Sequence, residues 1–210
     1  ISLGLVGSEM CIRDRLDTVA FPGPYRYELW GQPMDASGLA PAQLWTSSTA
    51  DALSGLDTTT VLTALNTESH AWSLAIHLRS DTVLVGLPPA ATTPWLTFTP
   101  DDNRLRLDVQ QGVPWRVASY VVERQLPTGG PYVVLDTVEV PMYVDSNLVN
   151  GATYCYRVTT LGAYDDPTTE SPLVNLSQEA CARPFDYTAP CAMALEVAAD
   201  CEVERDTLRW

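Results

Sequence analysis

The stretch Leu148-Val149-Asn150-Gly151-Ala152-Thr153-Tyr154-Cys155-Tyr156-Arg157-Val158 limits this chain to a narrow set of folds. Asn150-Gly151 supplies two residues that tolerate positive φ, which predicts a turn. Beyond it Tyr154, Tyr156 and Val158 alternate with Cys155 and Arg157, the pattern of a strand with one bulky face. A Leu six residues ahead of the first Tyr fits a tyrosine corner. In that device the ring packs inside a β-sandwich and its hydroxyl bonds back to backbone near the turn. Leu148, Gly151, Tyr154, Tyr156 and Val158 are therefore assigned structural roles.

The rest of the chain agrees with a sandwich. Sixteen Pro, twelve Gly and many Thr and Val, without a long stretch at helical period, predict short strands and frequent turns, an all-β class. At 210 residues there is room for two domains. No run approaches the ~20 apolar residues of a membrane span, so no membrane insertion is expected. The net charge of −14, with twelve Arg and no Lys, repels phosphate backbones and anionic headgroups, which argues against nucleic-acid partners.

Residues 1–15 read as foreign. Positive charge follows a short apolar start, the reverse of a signal peptide. The string from Leu5 to Asp14 resembles the translation of a transposase adapter used in preparing sequencing libraries. That resemblance implies a native chain beginning near Leu16 and leaves Cys11 out of the disulfide count.

A first module is expected over 16–92, a partial sandwich. Tyr25, Tyr27 and Leu29 alternate with Arg26, Glu28 and Trp30, and a break is predicted over 32–41. Further strands are expected over 42–46, 61–65, 70–78 with Trp72, Leu74, Ile76 and Leu78 on one face, and 82–87. Pro88-Pro89 closes the module. A complete module over 93–184 follows: A (96–98), B (105–109), C (120–124, opened by Tyr120), C′ (132–138), E (142–145), F (the stretch above) and G (173–181). Trp115 sits in the connection before C. Residues 185–210 read as a linker and the first strands of a third, truncated module. Asn103-Arg-Leu105-Arg-Leu107 matches Asp206-Thr-Leu208-Arg-Trp210 at an offset of 103, and Tyr25-x-Tyr27 matches Tyr120-x-Val122 at 95.

Cys155 opposite Cys181 predicts an F–G disulfide, because facing residues on neighbouring strands satisfy its Cα geometry. Cys191 and Cys201 pair only if the chain doubles back between them. With no CxxC, and with His70 and His77 in the module without cysteines, zinc is disfavoured. Disulfides imply an exported, oxidising address.

No GxSxG, HExxH, P-loop or GxGxxG occurs, so no catalytic or cofactor residues are assigned. His70 and His77 face opposite sides of one strand. Asp101-Asp102-Asn103 and Asp165-Asp166 are acidic turns, candidates for calcium but more commonly self-capped turns. Trp30, Trp45, Trp72, Trp95 and Trp115 suit core packing more often than a sugar-stacking platform. Asn175-Leu-Ser is a formal glycosylation triplet. The Asp-Thr-apolar sites at Asp17, Asp57, Asp81, Asp136 and Asp206 look like bacterial O-glycosylation sites or strand-end turns.

Val113-Pro114-Trp115, the Tyr120 strand, the 150–156 stretch, Gly162-Ala163-Tyr164, 175–181 and Pro190-Cys191 together resemble tandem fibronectin type III modules. In particular they are similar to those upstream of gliding-motility-associated C-terminal domains in bacteria with type IX secretion. The first module departs from the pattern, with His70 in the tyrosine-corner place. The resemblance implies a non-catalytic structural or adhesive array at the cell surface or secreted. Its partners would be neighbouring domains of the same chain and surface glycans or proteins, with a monomeric state. The alternative is an accessory region, carbohydrate-binding in one version, of a secreted hydrolase.

Overall fold

The computed structural model describes residues 16–35, 38–39, 41–56, 70–127, 129–165, 171–187, 196–200 and 205–209. Cys11, Asp57, residues 61–65, Asp166, Pro190, Cys191, Cys201 and Trp210, all named above, lie outside the described residues. The fold is all-β.

The first module contributes one antiparallel sheet. Its strands are β1 (Tyr25–Asp35), β2 (Gly38–Leu39), β3 (Gln43–Ala50), β4 (Ala71–Ser80), β5 (Val83–Gly86) and β6 (Ala91–Thr92). β1 lies centrally between β3 and β4, and β5 and β6 both pair with β4. The alternation read in the sequence is the physical cause. Tyr25, Tyr27 and Leu29 on β1 meet Leu74, Ile76 and Leu78 on β4 in one buried cluster, with Leu56. Fully burying each such side chain contributes about 1.5–3 kcal/mol.

Two expectations are corrected here. β1 runs through the predicted break to Asp35, with Pro33 opposite Trp72. Nor does Pro88-Pro89 end the sheet, since β6 returns to β4 with Leu74 opposite Ala91 and Ser73 opposite Thr92.

The second module is a two-layer sandwich. Its strands are β7 (Trp95–Asp101), β8 (Arg104–Gln110), β9 (Arg116–Gln125), β10 (Val133–Val138), β11 (Met142–Ser146), β12 (Tyr154–Ala163), β13 (Leu173–Leu176) and β14 (Ala180–Ala182). One sheet has the order β11-β8-β7, and the other β10-β9-β12-β13 with β14 also on β12. In strand letters these are E-B-A and C′-C-F-G, the two sheets of a fibronectin type III-like sandwich. Leu96, Leu105, Leu107 and Val109 from one sheet pack on Tyr120, Val122, Tyr154, Tyr156 and Val158 from the other.

Strand G departs from the expected single run. It splits into β13 and β14, because Ser177 Oγ accepts the Val158 N–H at 2.8 Å while Ser177 N donates to Val158 O. The side chain thus replaces a backbone acceptor in the ladder, and the next residue, Gln178, turns into the core toward Leu96. Beyond 185, β15 (Glu196–Asp200) and β16 (Arg205–Arg209) form an antiparallel hairpin.

Candidate functional site

The turn before β12 is built as a tyrosine corner. Tyr154 is buried, and its hydroxyl accepts the Val149 N–H at 3.0 Å, five residues upstream. Gly151 takes φ 78°, which a residue with a Cβ adopts only at a cost, and Leu148 is buried beside the ring. Tyr156 and Val158 are fully buried one and two positions further along the same face.

Around Tyr156 lies a buried polar tie between the sheets. Asp145 on β11 accepts Arg124 Nη1 from β9 at 2.6 Å and the Tyr156 hydroxyl from β12 at 2.8 Å. Burial, and then the hydrogen bond to the Asp145 carboxylate, push the Tyr156 phenol well above its ordinary value. An uncharged Tyr and a charged Arg therefore share one buried carboxylate. Sequence reading assigned Tyr156 but missed both partners, since neither Arg124 nor Asp145 departs from an ordinary strand pattern.

On the outer face of the same sheet, Cys155 and Cys181 stand opposite in register and are joined by a disulfide. Next to it Glu123 on β9 takes Arg157 Nε and Nη2 at 2.7 and 2.9 Å, a bidentate pair. The Arg157 guanidinium lies 4.3 Å from the Tyr132 ring centre, and the Tyr132 hydroxyl donates to Glu179.

The first sheet carries a related group on the face opposite its core. Glu28 on β1 is 5% exposed. Its Oε1 accepts Arg26 Nη2 at 2.8 Å, and its Oε2 accepts Arg79 Nε at 3.0 Å and the Trp30 indole N–H at 3.2 Å. Burial pushes this carboxyl up, but the bonds from Arg79 and Trp30 and the guanidinium charges outweigh it and hold it below its ordinary value. His77, opposite Glu28 on β4, stacks on Trp30 at 5.4 Å. Arg26, Glu28 and Trp30 were legible as one face of a strand, though not as a cluster.

The two modules meet at Thr92. Thr92 N donates to Gly112 O at 2.8 Å, Thr92 Oγ1 accepts the Gly112 N–H at 2.6 Å, and Thr92 O accepts Asn175 Nδ2 at 2.9 Å. The next residue holds the other side, with Thr93 N donating to Trp72 O and Thr93 Oγ1 accepting the Trp72 N–H. Ala91, Trp115 and Leu173 make the apolar part of the junction, with Tyr164 against Trp115. Gly162 permits this, because a Cβ there would sit 2.6 Å from the Trp115 ring and 2.5 Å from Arg116 O.

The remaining candidates separate. Trp45 and Trp72 meet edge to face at 5.1 Å, with His70 beside Trp72, while Trp30 lies across the sheet from them and Trp115 is buried at the junction. Trp30, Trp45, Trp72 and Trp115 form no common platform. Asn175 is fully buried and bonded to Thr92, so its triplet is closed to a glycan in the folded chain. Asp101 binds Arg104, and Asp102 accepts from Asn103 and Asn150, stitching the β7–β8 turn to the turn before β12. Asp17 and Asp81 stand in turns, whereas Asp136 lies within β10. Tyr120 is buried in the sandwich core. Among the described residues no helix is long and apolar enough to cross a membrane.

No family model matches the chain, and no curated protein does. Among solved structures it is similar to a human fibronectin type III domain, the fourth of its protein, at 13% identity and TM-score 0.34, covering 49% of this chain and 83% of that one. It is also similar to a β-1,2-glucanase from Parabacteroides distasonis at 15% identity and TM-score 0.35, covering 80% of this chain and 28% of the glucanase. Less than a third of the enzyme's length is thus spanned. The fibronectin type III-like fold rests on the strand order and the two-layer core of the second module.

Proposed function

We propose that this chain is a stiff two-module segment of an exported bacterial surface or secreted protein, one that spaces and presents adhesive units without catalysing a reaction. The observation that carries this reading is the junction. A flexible tether would leave its backbone to water, whereas here Thr92 bonds its N–H, C=O and hydroxyl to the second module and Thr93 bonds the first. Buried Ala91, Trp115 and Leu173 add apolar contact beside those bonds. The Cys155–Cys181 disulfide supports an oxidising, extracytoplasmic address. Resemblance to the modules that precede gliding-motility-associated sorting domains supplies the setting, type IX export to the cell surface.

The test is amide relaxation by NMR on the whole chain. Both sheets are expected to report one rotational correlation time. In Thr92→Ala combined with Asn175→Ala, which removes two of the ties, the two values should separate. Independent tumbling of the modules in the parent chain would overturn the stiff-spacer reading.

A further inference from the structure

We propose that the outer face of the first sheet, around Arg26, Glu28, Trp30, His77 and Arg79, binds the carboxylate of an acidic sugar. The inference goes beyond the spacer role and does not depend on it. Hydrogen-bond accounting comes first. Both oxygens of Glu28 are occupied, one by Arg26 and the other by Arg79 and Trp30. Each guanidinium carries five N–H donors and no acceptor. Arg79 places one more on Thr82 O, while the Arg26 side chain is 43% exposed and, among the described residues, commits Nη2 alone, to Glu28. The cluster therefore has donors left over and its only carboxylate is filled, so what it lacks is an acceptor.

Charge points the same way. Two guanidiniums against one carboxylate leave a formal surplus of one positive charge, on a chain whose net charge is −14. The second sheet is an internal control. There Glu123 and Arg157 match one to one through Nε and Nη2, and Tyr132 lies over the guanidinium. That pair carries no surplus positive charge, and the first carries one.

The aromatic pair narrows the ligand. Trp30 and His77 stack beside the guanidiniums, an apolar wall suited to the C–H face of a ring. A uronic acid offers that combination, a pyranose bearing one carboxylate.

The experiment titrates the full chain with oligogalacturonate, and separately with a neutral galactose oligomer of the same length, following the Trp30 indole and His77 ring signals by NMR. Saturable binding of the acidic oligomer alone, weakening as salt rises, is expected. Arg26→Gln should weaken it about tenfold, the equivalent of one charge-assisted hydrogen bond, and Arg157→Gln should leave it unchanged. No saturable binding, equal binding of the neutral oligomer, or parental affinity in Arg26→Gln each overturns the proposal. Should Arg26→Gln fail to fold, Arg26→Lys takes its place. It keeps the charge but loses the fork, and unaltered affinity in that variant is equally fatal.

Discussion

The sheet β3-β1-β4-β5 and the sheet β10-β9-β12-β13 have the same order, and each ends in a strand split in two, β5 with β6 and β13 with β14. Each also sets a carboxylate of its inner strand against an arginine of the next. Glu28 meets Arg79 and Glu123 meets Arg157, with the two glutamates 95 positions apart, the offset that relates Tyr25 to Tyr120. What differs is how each sheet is held. The second faces β7, β8 and β11 and is tied by a disulfide and the Arg124–Asp145–Tyr156 group. Among the described residues the first has no facing sheet, and its core is closed by Leu16, Leu53 and Leu56. Among the described residues the same strand order thus carries two sets of polar ties, one on a single sheet and one that also reaches across to β11.

That contrast breaks most sharply at Arg124. Replacing it with Leu leaves the Asp145 carboxylate, 6% exposed, with the Tyr156 hydroxyl as its remaining partner. A buried charge stripped of its counter-ion costs about 3–5 kcal/mol. Urea unfolding followed by the amides of β12 and of β4 should show that loss in the second module first. An equal shift in both sheets would mean that the junction makes them one cooperative unit. Removing the disulfide comes next. Cys155→Ser with Cys181→Ser opens a loop of 26 residues, and loop entropy sets the cost at about 3.5 kcal/mol. Since the opened loop lets the unfolded chain expand, a lower midpoint together with a larger m is expected.

Acid should act on the first sheet through Glu28. Its carboxyl titrates below the ordinary 4.5 in the folded chain, so the unfolded chain binds the proton first as pH falls. The stabilisation is complete above that ordinary value and is lost as pH drops through the folded one. Glu28→Gln should flatten this acid limb in the β4 amides and leave those of β12 alone. An unchanged acid limb would show that the three donors on Glu28 contribute nothing net.

The alternation of bulky side chains made the strands legible, because a face buried on one side must repeat every second residue. Tyr25 to Leu29, Trp72 to Leu78 and Tyr154 to Val158 were read that way. The F–G disulfide was legible for the same reason, from the register of a hairpin. What could not be read was long-range polar pairing. Asp145 looks like any turn-proximal Asp, and nothing local marks Asn175 as the partner of Thr92, 83 positions away. Strand G was read as continuous because Ser177 and Gln178 suit an edge strand. Only the partner strand shows that their side chains substitute for backbone in the ladder. The extension of β1 past Pro33 was missed because a Pro argues for a break unless its nitrogen faces away from the ladder.

The tyrosine corner gives the smallest and cleanest difference between the two sheets: Ala75 stands opposite Trp30 as Cys155 stands opposite Gln125, which puts Leu74 in the place of Tyr154. Tyr154→Phe removes the hydroxyl that accepts the Val149 N–H and keeps the buried ring. Val149 is 66% exposed, so its freed N–H can turn to water and the penalty of an orphaned donor is avoided. The loss should therefore sit near about 1 kcal/mol, read as a lower urea midpoint at constant m. A loss beyond about 2 kcal/mol would mean that the hydroxyl organises the whole turn from Leu148 to Gly151.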